Sequence, residues 1–226
     1  MKYNPVIIAL DVPSAAEART LVDALGEAQG FYKVGLELYA SAGPEFVREL
    51  KGRGKRVFLD LKLYDIGETV KRAVAVISKA GVDFLTVHAV KQVMQAAVAG
   101  RAGEVKLLGV SVLTSFDEGD LREDGYALNM ADLVERRVSQ AKAAGMDGIV
   151  CSALEVARVR ALTGPDMKLV IPGVRSAGAA TADQKRIATP REAIANGADY
   201  LVVGRQVTRA SDPGAELRKI LEEIYS

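Results

Sequence analysis

The chain reads as a TIM (β/α)8 barrel, an α/β fold in a single domain spanning residues 1–226. Three observations lead there. Eight short apolar runs recur along the sequence, amphipathic alanine-rich stretches separate them, and no G-x-G-x-x-G follows the first run. The absent glycine pattern argues against a doubly wound dinucleotide-binding sheet, and eight repeated units exceed what such a sheet needs.

The first run, VIIALD (6–11), leads into SAAEARTLVDALGEA, where Ser14 and Glu17 have capping-box spacing at a helix start. FYKVGLEL (31–38) is the second strand, with Lys33, Gly35 and Glu37 on one face. VFLDLK (57–62) is the third, followed by the helical pattern ETVKRAVAVISKAG. DFLTVHA (83–89) precedes HAVKQVMQAA, whose apolar face suits packing. VKLLGVSVL (105–113) is followed by an irregular stretch, 114–129, and then by the helix LVERRVSQAKAAG. GIVCSA (148–153), KLVIPGV (168–174) and YLVVGR (200–205) complete the set. Their near-continuous valines, isoleucines and leucines suit parallel strands covered on both faces. KAG, AAG and NGAD read as helix ends with glycine just beyond the last turn. A second irregular stretch, 175–190, follows strand seven, and its Gly and Ala content suits a mobile lid.

Composition narrows the function classes. Thirty basic against twenty-nine acidic residues give no field to attract nucleic acid or an anionic membrane. The single cysteine, Cys151, rules out an intrachain disulfide and suits a reducing compartment; its apolar strand makes it inert core. The N-terminal residues lack a signal-peptide pattern and no apolar stretch is long enough to span a bilayer, so a soluble cytoplasmic protein is expected. One histidine and one cysteine leave no His/Cys zinc site, although carboxylates could still hold magnesium.

Polar residues collect where the strands end: Asp11, Lys33, Asp60, Lys62, His88, Thr114, Arg175 and Arg205. Barrels place their active sites at that end, so the convergence argues for a site. Asp60 and Lys62 lie two apart on one strand and share a face; Asp65 follows, either as a helix N-cap in a structural ion-pair network or as part of the site. Two carboxylates beside one lysine hold its ammonium protonated. Such a lysine is a poor Schiff-base nucleophile and a good proton donor to a carbon that becomes a carbanion. Lys33 can neutralise Asp60, or snorkel outward. Asp11 can accept from a following amide or from a ribose hydroxyl. Gly204 and Arg205, after strand eight, sit where barrels bind phosphate, with Arg175 and Gln184 on the neighbouring loop. His88 reads as a hydrogen-bonded structural histidine near the mouth rather than a catalytic base.

The motif Asp60-x-Lys62-x-x-Asp65-Ile66, followed by Thr69, resembles the central motif of the orotidine 5′-phosphate decarboxylase family. The likeness extends through ALDVP (9–13), KVGLEL (33–38), TVHA (86–89), VLTS (112–115), PGVRSAG (172–178), DQKRIATP (183–190) and VVGRQVTRASDP (202–213), nearly the whole chain. It implies that Asp11 binds the ribose, that Lys33, Asp60, Lys62 and Asp65 form a charged tetrad, and that Thr114 faces the pyrimidine. It further implies that Arg175, Gln184, Gly204 and Arg205 hold the 5′-phosphate. A homodimer is implied too, with Asp65 and Thr69 reaching the partner's site, and neither metal nor organic cofactor. Tyr64, Gly67 and Glu68 depart from the family's common His-Asp-Ile-Pro-Asn-Thr form, without touching the tetrad.

The DIGE stretch is also similar to the magnesium-dependent keto-gulonate phosphate decarboxylases and hexulose phosphate synthases on this barrel. Those relatives carry a metal-binding glutamate where this chain has Lys33, whose ammonium would repel the ion. Three readings follow: the decarboxylase, a magnesium-dependent sugar-phosphate decarboxylase or aldolase, and a nucleotide-binding protein without turnover.

Overall fold

Every apolar run becomes a parallel strand; seven are shorter than their runs, and the third extends one residue further at each end. In a computed structural model that describes residues 4–176 and 188–226, the strands are β1 (Val6–Ala9), β2 (Phe31–Gly35), β3 (Arg56–Leu63), β4 (Phe84–His88), β5 (Lys106–Val110), β6 (Gly148–Val150), β7 (Lys168–Pro172) and β8 (Tyr200–Val203). They follow sequence order around a closed barrel, and β8 pairs with β1 through Val6–Leu201 and Ile8–Val203. The helices are α1 (Ala15–Leu25), α2 (Leu36–Gly52), α3 (Gly67–Ser78), α4 (Lys91–Gly100), α5 (Glu118–Glu123), α6 (Met130–Ala144), α7 (Val156–Thr163), α8 (Pro190–Ala195), α9 (Arg205–Thr208) and α10 (Pro213–Tyr225). Among the described residues, none is long and apolar enough to cross a membrane.

Local signals set the helix starts. The Ser14 side chain accepts from the Glu17 amide, and its hydroxyl donates to the Glu17 carboxylate at 3.1 Å. Asn129 caps α6, Thr189 forms a capping box with Glu192 ahead of Pro190, and Asp212 caps α10.

The second strand is shorter than its sequence suggests. β2 stops at Gly35, and Glu37 lies exposed in the first turn of α2 instead of facing the barrel interior. A carboxylate there complements the positive end of the helix dipole. The stretch 114–129 likewise contains α5, and α9 follows β8 directly, so there are more than eight helices among the described residues.

Alternation along the strands builds the interior in layers. Ile7, Phe31, Phe58, Phe84, Leu108, Val170 and Tyr200 pack inside the lower barrel, while the opposite faces pack beneath the helices. Two residues further along the same faces come Lys33 after Phe31, Asp60 after Phe58 and Thr86 after Phe84. One strand face thus carries an aromatic floor and a charged upper layer.

The base is held by a device used three times. Gly81-Val82-Asp83, Gly145-Met146-Asp147 and Gly197-Ala198-Asp199 stand immediately before β4, β6 and β8. Each glycine has positive φ (71°, 78° and 105°), and each middle residue is buried. Each aspartate accepts from an amide of the preceding strand: Val57, Leu107 or Leu169, all at 2.8 Å. The same oxygens accept from Lys51 (2.7 Å), Arg101 (2.6 Å) and Arg160 (2.5 Å). Every one of these anions is therefore matched by an amide and a cation.

Candidate active site

The charged upper layer opens into a cavity of about 440 Å³ at the C-terminal mouth, whose lining includes Asp11, Lys33, Asp60, Lys62, Thr114, Arg175, Gly204 and Arg205. Eight of the eleven expected site residues therefore line one cavity. Phe58, Val110, Val150, Cys151 and Val202 supply its apolar part. Cys151 is core, as expected, and also lines the cavity.

Asp60 is the hub. Its Oδ2 accepts from the Lys62 ammonium at 2.8 Å and lies 3.6 Å from that of Lys33. Lys33 donates to Asp11 at 2.7 Å, so an alternating chain runs Asp11–Lys33–Asp60–Lys62 across β1 to β3. Asp60 and Lys33 are each only 8% exposed, so pairing is what makes their charges tolerable. Burial works to raise the Asp60 pKa, but the two lysines and two side-chain hydrogen bonds outweigh it and hold the carboxyl below its ordinary range. Gly35 makes room for this arrangement: a Cβ there would sit 2.8 Å from Asp11 Oδ1 and 3.0 Å from Lys33 Nζ.

Lys62 is reached by a distorted strand. The β3–β4 register shifts between Leu59 and Leu63, and Lys62 has φ 49°, the one non-glycine positive φ among the described residues. Its amide donates to the Thr86 hydroxyl (2.9 Å), which donates to Asp60 Oδ1 (2.9 Å). Strict alternation alone therefore does not bring Asp60 and Lys62 together; the bulge and Thr86 also contribute.

Across the barrel, Arg175 follows β7 and Arg205 opens α9 behind Gly204. Burial lowers the Arg175 pKa, and the positive charge of Arg205 lowers it further. Arg175, Arg205 and Arg209 all line the cavity, so this side of it is cationic and suits an anion. Gln206 ties the two segments, accepting from the Ser176 amide (3.2 Å) and donating to the Ser176 hydroxyl (2.9 Å) and to Glu216 (3.0 Å).

Two expected residues lie outside this cavity lining. Asp65 is exposed and is not the N-cap of α3; Ile66 holds that position, and the Asp65 carboxylate accepts from the Ile66 amide at 2.6 Å. The ion pair of Lys62 within this chain is with Asp60, not with two flanking acids. Thr69, in the first turn of α3, is half-buried and outside the cavity lining. Gln184 lies outside the described residues. His88 lacks the expected side-chain hydrogen bond among the described residues; its ring packs on Tyr64, with centroids 5.4 Å apart. Thr86 went unrecognised because a threonine in FLTVHA reads as an ordinary strand former.

Comparison with known proteins agrees with this geometry. Residues 4–220 match the model of the "Orotidine 5'-phosphate decarboxylase / HUMPS family". The orotidine 5′-phosphate decarboxylase of Afipia carboxidovorans is 53% identical over 220 residues, covering 97% of this chain and 94% of that protein. The enzyme of the same name from a Methylobacterium species is 51% identical over 223 residues, covering 97% and 94%. The crystal structure of orotidine 5′-phosphate decarboxylase from Lactobacillus acidophilus superimposes with a TM-score of 0.87 at 36% identity, covering 99% of this chain and 100% of that one. With its closed barrel and its family match over nearly every residue, the chain belongs to the orotidine 5′-phosphate decarboxylase / HUMPS family.

Proposed function

We propose that this enzyme, a carboxy-lyase, converts orotidine 5′-phosphate to uridine 5′-phosphate and CO2 in pyrimidine biosynthesis, with Lys62 protonating C6. The observation that carries the reading is the Lys62 ammonium, 2.8 Å from a buried Asp60, in a cavity whose far wall bears Arg175 and Arg205.

The chemistry follows from those charges. Breaking the bond between C6 and the carboxylate leaves the electron pair on C6 and releases CO2. No adjacent carbonyl can accept that charge as an enolate. A fixed ammonium stabilises the developing carbanion, then gives it a proton and regains one from water. Asp60 pairs with the Lys62 ammonium, while Lys33 balances Asp60 and Asp11. Asp11 takes a ribose hydroxyl and Thr114 orients the pyrimidine. Arg175, Arg205, Gly204 and Gln184 hold the phosphate, and binding energy gained there orders the groups around C6.

In this reading the protein is a cytoplasmic homodimer, and Asp65 and Thr69 serve the partner's cavity. Their position outside their own chain's cavity supports that role. So do Leu36, Tyr64 and Ile66, which are 61%, 67% and 72% exposed on the same pair of connections. No cofactor is required. The magnesium-dependent reading is disfavoured because the Lys33 ammonium occupies the space between Asp11 and Asp60, where a bridging cation would lie.

The test is loss of substrate absorbance when the protein is mixed with orotidine 5′-phosphate in excess chelator. Full turnover is expected. Binding of uridine 5′-phosphate without turnover of the substrate would contradict the reading, and activity abolished by chelator would favour a metal-dependent reaction.

A further inference from the structure

We infer that Thr86 is a positioning residue for the reaction: its hydroxyl fixes both the backbone turn at Lys62 and the plane of the Asp60 carboxylate, and thereby aims the Lys62 ammonium. The inference rests on the proposed role of Lys62 as proton donor.

Hydrogen-bond counting settles the direction of each contact. An amide only donates, so at 2.9 Å from the Lys62 nitrogen the Thr86 oxygen is the acceptor. The single hydroxyl proton is then free for Asp60 Oδ1, also at 2.9 Å. That bond leaves Oδ2 as the oxygen facing Lys62 and Lys33. One side chain on β4 thus grips the catalytic strand twice, through the backbone of Lys62 and through the acid that holds its ammonium.

The grip acts where the backbone needs it. Lys62 adopts a left-handed conformation that a non-glycine residue holds only when its surroundings impose it. The register shift between Leu59 and Leu63 interrupts the β3–β4 ladder at this point, and the hydroxyl supplies an acceptor there. Thr86 is 0% exposed, so solvent does not compete for either bond.

A threonine that merely fills the core makes the opposite forecast for two substitutions. If packing were its role, Thr86→Val would preserve the branched shape and function well, while Thr86→Ser would leave a gap. If the hydroxyl positions Lys62, Thr86→Ser keeps turnover and Thr86→Val loses it. We expect kcat of the valine enzyme to fall about 10- to 100-fold, the scale of a small misplacement of a reacting group, with KM for orotidine 5′-phosphate little changed. Thr86→Cys, with a weak donor, should fall between serine and valine and serves if the valine enzyme does not fold. Wild-type kcat in the valine or cysteine enzyme, or a serine enzyme as slow as valine, overturns the inference. Lys62→Ala run alongside separates the two failures: if that enzyme still turns over, it is the reading of Lys62 that falls.

Discussion

At the base of the barrel the Arg56 guanidinium lies 4.0 Å over the Phe31 ring and 3.6 Å from Asp83. At the mouth Arg175 is buried beside Arg205, and their like charges oppose each other. The same contrast holds for backbone. Three glycines supply the positive φ values ahead of β4, β6 and β8, whereas the mouth puts a lysine at φ 49°. The anions differ as well: Asp83, Asp147 and Asp199 each combine a strand amide with a cation, while Asp60 holds two ammoniums and a hydroxyl at the edge of a cavity. The base therefore satisfies its charges internally. The mouth gathers like-charged cations and a strained lysine around a cavity, which is the pattern of a site built for chemistry at some cost in stability.

Substitutions at the two ends should separate those roles. The largest effect is expected for Lys62→Ala, which should lower turnover of orotidine 5′-phosphate by at least about 10²-fold while the protein stays folded. Steady-state assay beside circular dichroism checks both halves, and a folded variant keeping more than about a tenth of wild-type turnover removes Lys62 as the main acid. At the base, Asp83→Ala strands the Val57 amide and should cost about 1–3 kcal/mol in denaturant unfolding, with kcat unchanged. A variant that loses activity but no stability would erase the contrast.

The smallest effect concerns His88, at the mouth end of β4. Burial lowers its pKa first, the charges of Arg137 and Lys62 lower it further, and Asp60 opposes them. With the folded pKa below 6.5, the unfolded chain binds the extra proton first as pH falls. Stability should therefore decline from pH 6.5 down to the folded pKa and gain no further slope from this group below it. Since this is the only histidine, His88→Gln should flatten that window in a pH series of melting curves. An unchanged slope would mean that other groups dominate.

Much of the barrel was legible because buried parallel strands are near-continuous apolar runs, and their polar ends converge at one mouth by geometry. The charges of Asp60, Lys62 and Lys33 stood out because a charge within an apolar run costs free energy unless it is paired. The end of β2 was illegible because Leu36-Glu37-Leu38 continues the alternation of the strand, although Gly35 has already turned the chain into a helix. The bulge at Lys62 carries no glycine or proline to announce it. The aspartates at the base did leave a trace, since Gly-x-Asp recurs before three strands, but only their shared hydrogen bonds reveal what the repeat does.

In the proposed reaction Lys62 carries the proton to and from C6. Microscopic reversibility gives the most direct test. Incubate uridine 5′-phosphate in D2O with the wild-type enzyme and with folded Lys62→Ala, and follow the C6 proton by NMR. The wild-type enzyme should replace that proton with deuterium and the alanine enzyme should not. Exchange that continues at the wild-type rate without Lys62 would contradict it.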